Sequence, residues 1–103
     1  MTDIDLAKLC HKTHNEFCKA IREEVREWND LPQEHIDTII SSIINIKDGK
    51  FETAEQAHHN YVRRKIDAGI VNKRTVVWSE LSECNKTKEM IFFNIVVNNK
   101  INK

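Results

Sequence analysis

Pro32, Gly49 and Gly69 are the only proline and glycines in a chain of 103 residues. Proline and glycine punctuate helices and supply the special backbone angles of tight turns. A chain this poor in both reads as long helices joined by few turns, with little material for a phosphate-cradling loop. Its length fits one domain with one hydrophobic core. Lys plus Arg and Asp plus Glu each total 16, so formal charge is zero, and nothing global points to nucleic acid or an anionic membrane. Apolar runs such as Ile43-Ile44 and Ile91-Phe92-Phe93 are far too short to span a bilayer. The start, Met1-Thr2-Asp3-Ile4-Asp5, lacks the basic opening of a signal peptide. Three cysteines, Cys10, Cys18 and Cys84, give an odd count without a CxxC pair, which suits free thiols in a reducing compartment. A cytoplasmic location is therefore expected.

Periodicity places four helices. Leu6, Leu9, Cys10, Thr13, Phe17 and Ile21 recur at three- and four-residue spacing, predicting a first helix from Thr2 or Asp3 to near Glu27. Asp30 is set to cap a second, with Pro32 in its first turn and Gln33 completing a capping box. Its inner stripe is Ile36, Ile39, Ile40, Ile43 and Ile44, and Asp48-Gly49 marks the turn that follows. Thr53-Ala54-Glu55-Gln56 is another capping box, opening a helix through Ala57, Tyr61, Val62 and Ile66 that closes at Gly69. Residues 70–78 contain β-branched Val71, Thr75, Val76 and Val77 and predict a short extended segment, hairpin or irregular loop. Ser82 caps the last helix, whose inner face carries Ile91, Phe92, Ile95 and Val96. The domain is expected to span residues 1–97, with a polar tail at 98–103 that frays. No internal repeat, low-complexity segment or linker is evident.

Reactive chemistry finds little support. Cys10, His14 and Cys18 share one helical stripe, and His11 with His58-His59 could complete a zinc set, but one helix holds three metal ligands poorly. Cys10 and Cys18 also fit the apolar stripe, so burial is preferred to metal. A thiol nucleophile built from Cys10 and His58, or from Cys84, lacks a glycine-rich turn to present it. There is no GxGxxG, Walker loop, GxSxG or HExxH. The chain reads as a non-enzyme, with no metal or cofactor implied. Arg63-Arg64-Lys65 and Lys73-Arg74 are read as solvated faces.

Several segments resemble the ryanodine-receptor repeat (RyR) domain, a module found singly in bacterial and phage proteins and as repeats in calcium-release channels. Leu6-Ala7-Lys8-Leu9-Cys10-His11 with Phe17-Cys18 is similar to its opening helix, and Trp28-Asn29-Asp30-Leu31-Pro32 to the start of its second. Thr53 to Tyr61 with Lys65 to Gly69 resembles its most recognisable stretch; Val77-Trp78-Ser79-Glu80-Leu81 and Lys88 to Val96 resemble its close. Tyr61 and Ile70 stand where the family has tryptophans, and the loop at 71–76 is shortened. The abundance of Ile, Asn and Lys suits an AT-rich bacterial or phage genome. The resemblance implies a four-helix fold and brings His11, Trp28, His58, Tyr61, Lys65 and Trp78 into one set. With Arg64, that set mixes aromatic faces and cationic heads suited to a planar, anionic, nucleotide-like ligand. The same aromatics could equally serve packing, or an exposed patch for a protein partner or a symmetry mate.

Overall fold

The computed structural model describes residues 1–101. It is mainly helical: α1 (Asp3–Ala20), α2 (Gln33–Lys47), α3 (Ala54–Asp67) and α4 (Glu83–Ile101), with 3-10 turns at Trp28–Asp30 and Trp78–Glu80. No strand forms among the described residues. The stretch at 70–77 is a loop, turned where Asn72 accepts from the Arg74 N–H and Thr75 donates to the Asn72 carbonyl. No helix is long and apolar enough to cross a membrane among the described residues. Helix α4 continues past Asn98 to Ile101, so the expected tail is helical as far as it is described.

Side-chain caps start three helices. Thr2 and Asp5 exchange capping bonds, Thr53 accepts from the Gln56 N–H at 3.2 Å, and Ser82 accepts from the Asn85 N–H at 3.1 Å. Helix α2 departs from expectation: Pro32, not Asp30, is its N-cap, and no side chain caps it. Asp30 belongs instead to the preceding 3-10 turn. The first three helices end alike. The N–H groups of Glu23, Lys50 and Ile70 reach back to the carbonyls of Cys18, Asn45 and Lys65, with Arg22, Gly49 and Gly69 at positive φ. Helix α1 thus stops at Ala20, well short of Glu27, although the residues that follow favour helix. Tertiary bonds explain the early stop: the Arg26 carbonyl receives two side chains of α1, and Glu23 meets Lys88.

Leu6, Ala7, Cys10, Leu31, Ile39, Ile43, Ile46, Phe93 and Val96 form the core. Helix α4 packs on all three other helices. Helix α3 contributes one fully buried side chain, His58, while its expected inner residue Ile66 is 56% exposed. The face of α1 is rotated from expectation, with Leu9 exposed and His11 and Asn15 buried.

Contrary to the sequence reading, the chain contains an internal repeat: helix, connecting loop, 3-10 turn and helix occur twice. In the first unit the His11 Nε2–H donates to the Arg26 carbonyl at 2.6 Å, and Trp28 meets the His11 ring edge-on at 6.0 Å. In the second the His58 Nε2–H donates to the Val76 carbonyl at 2.7 Å, and Trp78 meets His58 at 5.8 Å. Each tryptophan opens a Trp-x-x-Leu turn whose leucine, Leu31 or Leu81, is buried. In the helices that follow, Ile43 and Ile46 occupy the positions of Phe93 and Val96, and all four are buried. A helix histidine thus clamps the descending chain in each unit. The repeat is hard to read in sequence because the stretch between histidine and tryptophan is longer in the second unit and few identities survive.

Candidate functional site

The four helices line a half-open cavity of about 190 Å³. Ile39, Ile46, Phe51, Phe92 and Phe93 give it an apolar wall, and His11, His14, Tyr61, Arg64, Arg74 and Glu89 supply its polar groups. Exposed His35 stands at its rim.

Arg64 reaches inward from α3 and donates through Nη2 to the Ser42 hydroxyl at 3.3 Å, while its buried Nε–H has no protein partner. Among the described residues no carboxylate pairs with Arg64. Arg74, from the loop before the second 3-10 turn, forms an ion pair with Glu89 of α4, and its Nε–H is likewise buried without a partner. Its guanidinium lies 5.7 Å from the centre of the Tyr61 ring, and the Lys65 ammonium stands at the same distance. The charge balance inside is therefore one internal pair plus one unneutralised arginine. Lys88, 8% exposed, is compensated from outside by Glu23 at 2.5 Å, and that bond holds the Glu23 carboxyl below its usual range.

Burial sets the charge state of two histidines, His14 on the cavity and His58 in the clamp behind it. Desolvation, reinforced by the positive charge of Arg74, drops the His14 pKa to about 4, so the ring is neutral near pH 7. Burial also lowers His58, against the bond to Val76 that favours its protonated form. His58 is 0% exposed. Its Nε2–H is committed to a carbonyl, and its Nδ1 is buried, unpartnered and 3.8 Å from the Glu89 carboxylate.

The expected residues divide among several places. His11, Tyr61 and Arg64 line the cavity. Trp28 lies outside it, in a shallow surface groove with Lys8, Lys12 and the other side of His11. His58 and Trp78 form the second clamp, and Lys65 covers the outer face of Tyr61. The cavity adds His14, Arg74 and Glu89, which the sequence reading did not select. Arg74 passed for part of a solvated basic run. Glu89 carried a usable signal, a charge three and four residues before Phe92 and Phe93 on the apolar side of a helix.

Burial pushes the Cys10 thiol up to about 12 and raises Cys18, whose sulfur lies 3.8 and 3.9 Å from the ring nitrogens of His14. Neither thiol is poised as a nucleophile. Cys84 is exposed. No group of three His, Cys, Asp or Glu side chains placed to hold a metal ion occurs among the described residues. No protein-family model, curated protein or solved structure matches the chain.

Proposed function

We propose that this domain is a non-catalytic binding module for a small planar anion of the nucleotide-derived kind, held in the central cavity. The observation that carries the reading is Arg64, a cation facing a half-open, largely apolar space with only a neutral hydroxyl as partner among the described residues. Leaving a guanidinium so placed is costly unless a ligand or solvent satisfies it. Tyr61 and Phe92 line the same cavity and give a base aromatic neighbours, and an Arg64 fork suits phosphate or carboxylate. The resemblance of Thr53 to Gly69 to the RyR domain supports the same reading, with a role in sensing or sequestering a messenger in a bacterium or phage. At about 190 Å³ the space is smaller than the several hundred Å³ of common ligand sites, so it takes one ring system or one charged group and leaves a larger ligand to emerge past His35.

A thermal-shift screen of nucleosides, nucleotides and cyclic nucleotides against wild type and Arg64→Ala tests this reading. A ligand at a hundred times its dissociation constant adds about 2.7 kcal/mol. Stabilisation of the wild type and not of the variant is expected; no response to any of them would overturn it.

A protein-interaction or self-association module is the second reading. It is favoured by the exposed apolar side chains Ile66, Ile70, Val71 and Val77 around the end of α3 and the following loop. Sedimentation of wild type against Val71→Lys separates the two, because only the second requires association that the lysine abolishes.

A further inference from the structure

The repeat supplies an internal control for the cavity. Both units build the same clamp from a helix histidine, a backbone carbonyl and a tryptophan, so the clamp belongs to the fold. Glu89 does not. Ile39 stands as far beyond Trp28 as Glu89 stands beyond Trp78, and Ile39 is simply a core residue of the first unit. The first unit therefore makes its clamp without a carboxylate. In the second unit a 14%-exposed carboxylate has been placed between the guanidinium of Arg74 and the unpartnered Nδ1 of His58, with the same oxygen, Oε1, nearest to both. Removing the cation from such a buried carboxylate is expensive unless another cation replaces it.

We propose that Arg74 and Glu89 form an exchangeable anion site: the phosphate or carboxylate of a ligand replaces Glu89 on Arg74, and Glu89 turns to His58, whose Nδ1 takes up a proton from solvent. The ligand half of this proposal rests on the cavity reading above. The net charge of the site, Arg64 included, is the same at each end of the exchange. Before it, Arg74 and Glu89 neutralise each other beside a neutral His58; after it, Arg74 pairs with the ligand and Glu89 pairs with the imidazolium. The groups facing His58 are Glu89 from α4, Arg74 from the preceding loop, and His59 and Tyr61 on its own helix. Glu89 is the one anionic carboxylate among them. Once Arg74 is engaged elsewhere, protonated His58 is the favoured state, and binding of a monoanion tightens as pH falls, by at most tenfold per pH unit for one proton.

Cyclic AMP is the probe, because its phosphodiester keeps one negative charge throughout this range; adenosine is the neutral control. Calorimetric titration near pH 6 in two buffers of different ionisation enthalpy counts protons. Uptake of up to about one proton per cyclic AMP, lost in Glu89→Gln together with the pH dependence, is the expected result. Binding without uptake, or with uptake unchanged in Glu89→Gln, would overturn the exchange while leaving the cavity reading standing. Adenosine binding as tightly as cyclic AMP would overturn the anion site alone. If neither binds, the cavity reading fails for nucleotides and the ligand half of the proposal fails with it. A ligand-free arm then decides the remainder: with folding checked by circular dichroism, Arg74→Gln should raise the His58 titration midpoint, followed by ring-nitrogen NMR. The same change in a Glu89→Gln background should raise it much less. Equal shifts in both backgrounds would show that Glu89 does not turn to His58.

Discussion

Replacing His58 by alanine removes three things at once from a fully buried position. The Val76 carbonyl loses its side-chain donor, worth about 1–2 kcal/mol at a partly buried site. The edge contact with Trp78 goes, worth about 0.5–1 kcal/mol. The vacated ring volume costs about 1–2 kcal/mol more, below the Phe→Ala range because imidazole is smaller and polar. Against these stands the relief of an unpartnered Nδ1. The net is a loss of about 3 kcal/mol, against a total near 5–15 kcal/mol for a domain of this size. At about 4–8 °C per kcal/mol, the melting temperature should fall on the order of 15 °C. Urea unfolding of His58→Ala, His11→Ala and His59→Ala measures this directly. The clamp variants should lose similar amounts, and the exposed His59 variant should stay within about 0.5 kcal/mol of wild type. A His58→Ala protein as stable as His59→Ala would refute the clamp as a structural device.

Arg22 holds a left-handed conformation, φ 63°, at the end of α1 where the two equivalent ends have glycine. Arg22→Gly should stabilise by about 0.5–1 kcal/mol after glycine's extra unfolded-state entropy is allowed for, and a lower urea midpoint would count against the assignment. Burial lowers the folded-state pKa of His14, to about 4, and of His58 below the ordinary 6.5. The unfolded chain therefore binds more protons in this window, so stability is full above pH 6.5 and declines as pH drops towards about 4. Urea midpoints equal at pH 7.5 and pH 4.5 would contradict that sign. A thiol-reactive disulfide reagent should label Cys84 in the native protein but reach Cys10 and Cys18 only on unfolding, and rapid native labelling of all three would show the core more open than described.

What the sequence disclosed and what it hid follow from the range of each interaction. Caps are local, so Thr53, Ser82, Gly49 and Gly69 announced helix ends that the structure has. Apolar periodicity found every helix, but it could not end α1, because the bonds of Arg26 and Glu23 that hold the chain out of helix run to His11, Asn15 and Lys88. The same blindness displaced the buried face of α1, since polar His11 and Asn15 are inside only by virtue of a distant carbonyl. Of the site, Tyr61 and Arg64 were legible as an aromatic and a cation one helical turn apart. Arg74 was not. A loop arginine becomes a cavity residue only through its partner Glu89, and that pairing is invisible before the second unit folds.

Helix α3 reaches the interior through a single fully buried side chain, yet it carries Tyr61 and Arg64 of the cavity wall. The other helices are tied together by the core, whereas α3 sets the partly buried Ala54 and Ala57 against it and is otherwise held by the His58 imidazole on its carbonyl and by contacts with α4 and the 3-10 turn. Local opening follows the weakest attachment, so the wall that carries Tyr61 and Arg64 is also the cheapest one to lift. The cavity already opens to the surface beside His35, so lifting α3 would widen an existing mouth. On the binding reading proposed above, the rate at which a ligand leaves would depend in part on the same latch that secures the empty protein.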